Sequence, residues 1–218
     1  MTNNNELRRK LLAAAFQMPS VQTMVSRKSS ITNAFVNAVI PVVVPTIEEI
    51  DQALSILGMD PADVRCAFCG DKSSEWDHLR PLVLKQRPTG YVSEIANLVP
   101  ACGKCNQSKG NKAWRVWIIS KARLSPTGRG VANVAERIAR LEVYEEWRPP
   151  TNVDFEAILG RDDWEKYWAM WKAVNETLGQ CQDVAELLRK RVADHLGAGA
   201  ISTPFEDVRP TPPPPDDA

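Results

Sequence analysis

Hydrophobic residues recur at helical spacing towards both ends of the chain. The pattern predicts a first helix over residues 7–17, where five apolar side chains share one face before Pro19. Thr46 and Glu49 have the spacing of a capping box, so a helix is predicted to begin there and to end at Gly58. The same periodicity predicts three further helices, at residues 31–40, 113–122 and 131–147.

The longest periodic stretch lies near the C-terminus. Residues 161–196 are predicted to form either one long helix or a helix pair that breaks near Gly179. Trp164, Trp168 and Trp171 share one face of it. Aromatic residues in such a stripe usually pack inward, which is our prediction. Exposed rings that stack on nucleic-acid bases are the alternative.

Two regions lack helical periodicity. The segment between two cysteine pairs is rich in turn residues and short strand signals, which predicts a compact, loop-rich module. From residue 198 the chain runs to a proline-rich, acidic end that cannot bury enough surface to order itself. We therefore predict a disordered tail over residues 198–218.

The positive charge of this 218-residue chain is concentrated in its middle. Overall, 27 basic residues balance 27 acidic ones, and 44% hydrophobic residues are enough to fill a core. Between Arg65 and Lys121, ten basic residues stand against four acidic ones. This local excess favours contact with a polyanion, although a solvated basic surface would explain the charge equally well.

The sequence shows no signal for export or membrane insertion. Its first twenty residues open polar and contain no apolar run followed by a small-residue cleavage site. The longest apolar stretch, residues 34–47, is interrupted by Asn37, Pro41 and Pro45 and is shorter than the roughly 20 residues of a membrane helix. We therefore expect a cytoplasmic protein with no membrane partner.

Four of the five cysteines occur as two C-x-x-C pairs: Cys66 with Cys69, and Cys102 with Cys105. A tight turn in each pair can direct both thiolates at one ion, and two such pairs complete a tetrahedral four-cysteine zinc site. Such a site has no open coordination position, so the zinc is predicted to be structural. Cys181 and His195 have no ligand-spaced partner and are predicted to be structural or surface residues.

Residues suited to phosphate-ester hydrolysis lie between and just after the cysteine pairs. Asp77 and Asn106 offer a carboxylate and an amide oxygen, which suit magnesium, manganese or nickel. His78 directly follows Asp77, and its imidazole can accept a proton near pH 7. These residues favour a metal-dependent hydrolase.

The motifs resemble those of the HNH endonucleases of the ββα-metal fold, in the subgroup with a four-cysteine zinc site. The similarity covers about residues 65–117, in the order C-x-x-C, D-H-L-R-P, N-L-V-P and C-x-x-C-N-x-x-K-G-N-K. It implies that Asp77 and His78 lie on a β-hairpin and face, across one divalent ion, the start of a helix that carries Asn106. Asn106 replaces the last histidine of the family motif, as is common in the family.

The resemblance also implies roles for individual residues. Asp77 and Asn106 would bind the catalytic ion, His78 would be the general base, and Asn97 would brace the loop that orients His78. Nucleic-acid contacts are implied for four basic residues: Lys109, Lys112, Arg80 and Arg115. The implied cofactors are one structural Zn²⁺ per chain, held by the four cysteines, and a catalytic Mg²⁺ or Mn²⁺.

The predicted fold class is α+β and mostly helical, with a central zinc-stapled ββα-metal (HNH) module flanked by helices. Its predicted parts are an N-terminal helical extension (1–60), the nuclease module (61–121), a C-terminal helical region (122–197) and the tail (198–218). The expected function is that of a restriction-like, metal-dependent endonuclease that hydrolyses double-stranded DNA by a one-metal mechanism with a histidine base. A homodimer is the expected arrangement if both strands are cut.

Two alternatives stay open at this point. One is a zinc-ribbon module that binds nucleic acid without catalysis. The other is an interaction protein built around the tryptophan-rich helices, with a vestigial nuclease module. The Asp77–His78 pair argues for catalysis, because a module that only binds needs no metal ligand beside a base.

Overall fold

The computed structural model describes residues 2–16 and 19–197. The predicted disordered tail, residues 198–218, and Gln17, the last residue of the first predicted helix, lie outside this part. The helices of the described part are α1 (Thr2–Ala15), α2 (Lys28–Val39), α3 (Ile47–Ile56), α4 (Gly103–Lys109), α5 (Trp114–Ile118), α6 (Val134–Trp147), α7 (Phe155–Leu159) and α8 (Arg161–Leu196). The strands are β1 (Glu75–His78), β2 (Val83–Leu84), β3 (Arg87–Pro88) and β4 (Leu98–Ala101).

The predicted helices are present, and two details of the prediction are confirmed. The capping box opens α3 as expected: the Glu49 backbone amide donates to Thr46 Oγ1 at 3.2 Å, and the Thr46 amide donates to Glu49 Oε2 at 2.9 Å. Helix α8 runs without interruption through Gly179, so the one-helix alternative is correct. Helix α2 begins at Lys28, three residues before the predicted start.

Two helices are shorter than predicted. Helix α5 ends at Ile118. The Ile118 carbonyl accepts hydrogen bonds from the Thr127 amide at 3.2 Å and from the Thr127 hydroxyl at 2.9 Å, and these replace the bond to an amide of a further helical turn. Helix α6 begins at Val134 because Asn133 has a φ of 58°, in the left-handed region. Helix α7 was not predicted, although the Asp154 side chain caps it by accepting from the Ala157 amide at 3.1 Å.

The chain divides into two compact units, residues 29–168 and residues 1–28 together with 169–218. The core of the first unit joins the cysteine segment to the flanking helices. Leu57 follows α3, Trp117 belongs to α5, and Leu141 and Tyr144 belong to α6; all four are buried in the cluster that includes the cysteines. The predicted boundaries at residues 60 and 121 stay predictions.

A two-stranded antiparallel sheet organises the centre of the first unit. Strand β1 pairs with β4 so that Asp77 lies opposite Val99 and His78 opposite Leu98. Tyr144 of α6 donates its hydroxyl hydrogen to the carbonyl of Ile95 at 2.6 Å, and Leu98 O lies 3.0 Å away. This contact fixes the segment that leads into β4. The sheet is followed at once by α4, which gives the strand, strand and helix order implied by the resemblance.

The second unit consists of α1, the segment after it and the C-terminal part of α8. The Met24 amide donates to Gln182 Oε1 at 2.6 Å, and Arg189 donates to the Gln22 carbonyl at 3.0 Å. These bonds join the chain before α2 to one face of α8.

The tryptophan stripe of α8 packs inward for the most part. Trp168 and Trp171 are buried, with 6% and 8% of their surface exposed, while Trp164 is half-buried. The Trp164 ring stacks on Phe155 of α7 with a centroid distance of 6.1 Å. The stripe therefore contributes packing surface, as predicted.

Candidate active site and metal centre

The four cysteines predicted to bind zinc come together as one buried cluster. Their sulfur atoms all lie within 4.8 Å of one another, and Cys69 Sγ is 3.6 Å from Cys102 Sγ. A tetrahedral zinc ion with Zn–S bonds of about 2.3 Å would place its sulfurs about 3.8 Å apart. The donor set and its spacing therefore fit a zinc ion with four thiolate ligands and no open position.

Arg129 supplies the cation beside this cluster. Its Nη2 atom donates to Cys105 Sγ at 3.1 Å, and its Nη1 atom lies 3.3 Å from Asp71 Oδ2. Asp71 also contacts the first cysteine turn, because its carbonyl accepts from the Cys66 amide at 2.8 Å. A guanidinium at this position offsets part of the negative charge that four thiolates would place around zinc. Arg129 lies 24 residues after Cys105, the last cysteine of the cluster, and no spacing rule singled it out.

Asp77 and His78 lie next to each other on β1, as the resemblance implied, and Lys109 of α4 lies against both. Asp77 is 6% exposed and Lys109 is fully buried. The Lys109 ammonium donates to Asp77 Oδ1 at 3.1 Å and to the His78 carbonyl at 2.8 Å. Asp77 Oδ2 is also 3.1 Å from the ammonium, but it receives no well-directed hydrogen bond. One buried carboxylate oxygen of Asp77 thus has no hydrogen-bond donor among the described residues.

Lys109 does not lie where a phosphate contact requires it. A phosphate-binding lysine needs an exposed ammonium, whereas this one is enclosed and bound to Asp77 and two carbonyls. The contact of Lys109 with phosphate stays a prediction, and in this structure Lys109 is the counter-ion of Asp77. The sequence showed only a lysine after the second cysteine pair, and burial could not be read from that pattern.

Burial shifts the pKa values of Asp77, His78 and Lys109 in the direction that favours the uncharged form of each side chain. Burial raises the pKa of Asp77 from 3.8 to about 6, although the Lys109 charge opposes the rise. Burial lowers the pKa of His78 from 6.5 to about 4, and the Lys109 charge adds to the effect. The pKa of Lys109 is lowered by burial as well, against the attraction of Asp77. At neutral pH the imidazole of His78 is thus uncharged and can accept a proton.

Ser93 contacts the His78 ring, and no sequence pattern pointed to this residue. His78 Nε2 is 2.8 Å from Ser93 Oγ. The Ser93 carbonyl accepts a hydrogen bond from the Val43 amide at 2.8 Å. This bond connects Ser93 to the segment that precedes α3. A hydroxyl at Nε2 restricts rotation of the ring and leaves Nδ1 as the other nitrogen for proton transfer.

Asn106 of α4 faces β1, and Glu75 orients its amide. Asn106 Nδ2 donates to Glu75 Oε2 at 2.8 Å, which leaves the amide oxygen available as a ligand atom. Glu75 and Asp77 are two residues apart on the strand, so both carboxylates lie on the same face. The carboxylate oxygens of Asp77 and Glu75 and the amide oxygen of Asn106 are of the donor type that Mg²⁺ or Mn²⁺ prefers. Glu75 is a site residue that sequence reasoning missed.

Asn97 is fully buried, and its side chain forms hydrogen bonds with the backbone of the segment that follows β1. Its Oδ1 atom accepts from the Arg80 amide at 2.7 Å, and its Nδ2 atom donates to the carbonyls of Arg80 and Val92 at 3.1 and 3.3 Å. Three hydrogen bonds from one side chain join the chain after His78 to the chain before Ser93. These hydrogen bonds would serve the bracing role of Asn97, which stays a prediction.

The two arginines predicted to contact nucleic acid share one buried carboxylate. Glu145 of α6 forms ion pairs with Arg80 and Arg115, each at 2.7 Å. Arg115 also pairs with Glu142. Lys112 is exposed and donates to the Ser108 carbonyl at 2.7 Å, near the end of α4. These three residues keep exposed surface, and their contacts with nucleic acid stay predictions.

Comparison with known proteins identifies the segment that carries these residues. Residues 65–112 match the HNH endonuclease family. A stretch of 57 residues, 24% of the chain, is 39% identical to a CRISPR-associated endonuclease Cas9 from Corynebacterium diphtheriae and covers 5% of that protein's length. No solved structure matches the chain. In the described part of the chain, no helix is both long enough and apolar enough to span a membrane.

The matched segment contains both halves of the site. The cysteine cluster and the Asp77–His78 pair lie within it, and the mostly helical fold with two small antiparallel sheets, β1 with β4 and β2 with β3, agrees with the predicted class. Residues 65–112 therefore form an HNH endonuclease domain, the nuclease family that the sequence motifs resemble.

Proposed function

We propose that the protein is a metal-dependent DNA endonuclease that hydrolyses phosphodiester bonds, with His78 as general base and Asp77 and Asn106 as ligands of one divalent ion. The observation that supports it most is the neutral imidazole of His78, the residue that follows the buried Asp77 on β1, with the amide of Asn106 on the helix that faces this strand. A protein that only binds DNA would gain nothing from this buried group.

His78 is suited to remove a proton from water. With Nε2–H donating to Ser93, the lone pair of Nδ1 accepts the proton of the attacking water, and the Asn97 brace keeps the ring in place. A divalent ion bound to Asp77 and Asn106 would neutralise charge on the phosphoryl group and on the departing 3′-oxygen. Glu75 accepts a hydrogen bond from the Asn106 amide nitrogen, so the amide oxygen would be available to the ion.

Lys109 has to give way when the ion binds. Its ammonium contacts Asp77, and two cations cannot share one buried carboxylate without strong repulsion. We propose that Lys109 neutralises Asp77 in the metal-free protein and moves towards the scissile phosphate when the ion is present. This motion would bring the residue back to the role that the sequence suggested.

The test uses zinc-loaded protein, supercoiled plasmid and mixed genomic DNA, with Mg²⁺ or Mn²⁺ and then with chelator. We expect metal-dependent cleavage that His78→Ala abolishes and His195→Ala leaves intact. His195 is the matched control because it is the second histidine of the chain and is exposed near the end of α8. Cleavage that persists in His78→Ala would refute the histidine-base mechanism.

The finer parts of the proposal have their own outcomes in the same experiment. Discrete bands from genomic DNA would support a restriction-like enzyme that recognises a site in duplex DNA. Open circles alone would show nicking, and cleavage of both strands that rises with the square of protein concentration would support a homodimer. DNA binding without cleavage under either metal would favour the non-catalytic zinc-ribbon alternative.

A further inference from the structure

A polar cavity of about 360 Å³ lies outside the site described above. The turn after α3, the first cysteine turn and α6 form its walls. Its charged lining includes Arg137 and Arg140 of α6, Arg65, Asp60 and Asp63. All these residues belong to the unit of residues 29–168.

The two arginines of α6 face this cavity without a counter-ion. Within the described residues, neither Arg137 nor Arg140 has a carboxylate at ion-pair distance, whereas Arg65 is paired with Asp63 at 2.7 Å. The Arg137 Nε atom is buried and has no hydrogen-bond partner there. A buried N–H that donates to nothing costs free energy, and this cost is recovered if a ligand supplies the acceptor.

The absence of a side chain at Gly70 leaves space for the Arg137 guanidinium, whereas Gly58 only borders that of Arg140. A Cβ atom on Gly70 would lie 2.3 Å from Arg137 Nη2, and one on Gly58 would lie 3.6 Å from the Arg140 guanidinium. Gly70 has a φ of 81° and Gly58 a φ of 65°, so both glycines also serve the turn itself. The first cysteine turn therefore contacts the Arg137 side chain directly.

The acidic residues of the cavity are already engaged. Asp63 is paired with Arg65, and Asp60 Oδ1 accepts from the Ala62 amide at 2.7 Å. The three arginines outnumber the two aspartates of the lining, and Arg137 and Arg140, one helical turn apart on α6, are the arginines without an ion-pair partner among the described residues. Planar guanidinium groups bind phosphate oxygens in pairs, and two of them at one cavity are typical of phosphate recognition.

We propose that this cavity binds a phosphate group through Arg137 and Arg140. It is separate from the active site, because these arginines lie on the flank of α6 opposite the one with Glu142 and Glu145, which hold Arg115 and Arg80. The proposal does not depend on the catalytic one. The phosphate comes either from a mononucleotide or from a polynucleotide, and the same chemistry recognises both.

Calorimetric titration of the zinc-loaded full chain with inorganic phosphate tests the site directly. We expect saturable binding of one phosphate per chain, weakened at least tenfold in Arg137→Gln and in Arg140→Gln and unchanged in Arg123→Gln. Arg123 is the matched control because it is exposed and lies outside the cavity. Zinc content and thermal unfolding of each variant show that it is folded, and Arg140, which is exposed, tolerates replacement even if Arg137 does not.

Three further probes distinguish the sources of the phosphate, all in the His78→Ala background without added Mg²⁺. They are AMP, a short single strand with a 5′-phosphate and the same strand with a 5′-hydroxyl. Arginine-dependent binding of AMP alone would assign a nucleotide site, preference for the 5′-phosphate would assign a strand end, and equal binding of both strands would assign the backbone. Absence of saturable phosphate binding, or equal binding in all variants, would overturn the proposal, whatever the plasmid assay shows.

Discussion

The ammonium of Lys109 lies 3.1 Å from both carboxylate oxygens of Asp77, in a position where neither side chain has appreciable contact with solvent. The Lys109 ammonium thus contacts the Asp77 carboxylate, which is proposed to bind the catalytic ion. Coulomb repulsion would oppose simultaneous binding of both cations. The stability of the metal-free protein and its affinity for the ion are therefore linked through Lys109.

Replacement of Lys109 by Met should destabilise the metal-free protein and increase its response to metal. Removal of one partner of a buried ion pair typically costs about 3–5 kcal/mol, because the other charge stays buried without compensation. We expect this loss at pH 7.5 in urea unfolding, and a larger gain in stability on addition of Mn²⁺ than wild type shows. Lys112→Met is the control on the surface of the same region. An equal response to Mn²⁺ in both variants would contradict the link.

The stability difference between wild type and His78→Asn should depend on pH between about 4 and 6.5. The folded pKa of His78, about 4, lies below the unfolded value of 6.5, so the unfolded state binds the proton first as pH falls. Wild type should therefore lose stability relative to the variant from pH 6.5 down to 4, and the difference should be constant above pH 7. Urea unfolding at pH 4.5, 5.5, 6.5 and 7.5 measures this.

The titration of Asp77 changes the stability of the folded state in the opposite direction over the same pH range. Its folded pKa, about 6, lies above the unfolded value of 3.8, so the folded state binds the proton first and its contribution to stability is lost as pH rises from 4 to 6. The two effects offset each other in wild type, which is why the difference from His78→Asn is the informative quantity. A difference that does not change with pH would show that His78 titrates normally.

Replacement of Ser93 by Ala should slow cleavage without unfolding the protein. The variant loses the hydrogen bond to His78 Nε2, and a typical bond of about 1.4 kcal/mol corresponds to a tenfold fall in kcat. Ser93→Thr keeps the hydroxyl and should restore most of the rate. Single-turnover cleavage with unchanged KM separates this positioning effect from weaker DNA binding. A rate equal to that of wild type would exclude Ser93 from orienting the base.

Loss of one cluster cysteine should remove zinc and unfold the first unit. We expect Cys105→Ser to contain far less than one zinc per chain and to lose the near-ultraviolet signal of the buried Trp114 and Trp117, because the cluster forms part of the same core. Cys181→Ser should keep both, since Cys181 is exposed and far from the cluster in sequence. Elemental analysis and circular dichroism are sufficient. Full zinc content in Cys105→Ser would refute the four-thiolate site.

Arg129 should slow the loss of zinc. Its guanidinium contacts Cys105 Sγ, and replacement of groups that contact metal ligands typically lowers affinity tenfold to a hundredfold. We expect Arg129→Gln to release zinc to a chromogenic chelator at least tenfold faster than wild type, and Arg123→Gln to release it at the wild-type rate. Equal release rates in the two variants would show that Arg129 only packs against the cluster.

The order of motifs in the sequence was sufficient to predict the centre of the molecule. The C-x-x-C spacing predicted the cysteine cluster, and the placement of Asp77–His78 on a strand before the helix of Asn106 is confirmed. The capping box of α3 and the inward tryptophans of α8 were also predictable. These features depend on residues close together in the chain, where spacing and local geometry are tightly coupled.

Other features were decided by contacts between distant segments. The partner of His78 is 15 residues away, that of Asn106 is 31 residues before it, and that of Cys105 is 24 residues after it. The early end of α5 and the late start of α6 likewise depend on Thr127 and on the backbone of Asn133. Side-chain type alone does not show which of several polar residues will be brought together by the packing of α6 and the sheet.

The sequence by itself thus determined which chemical groups this protein offers: four cysteine thiols that can hold a metal such as zinc, an aspartate next to a histidine, and helices on either side. Only the tertiary structure decided which charges are buried, because burial depends on how α4, α6 and β1 pack. Lys109 has the same sequence pattern as a surface lysine, yet the fold encloses it with Asp77. Desolvation then sets the protonation of Asp77 and His78, and this is a property of the packed molecule, which no linear motif contains.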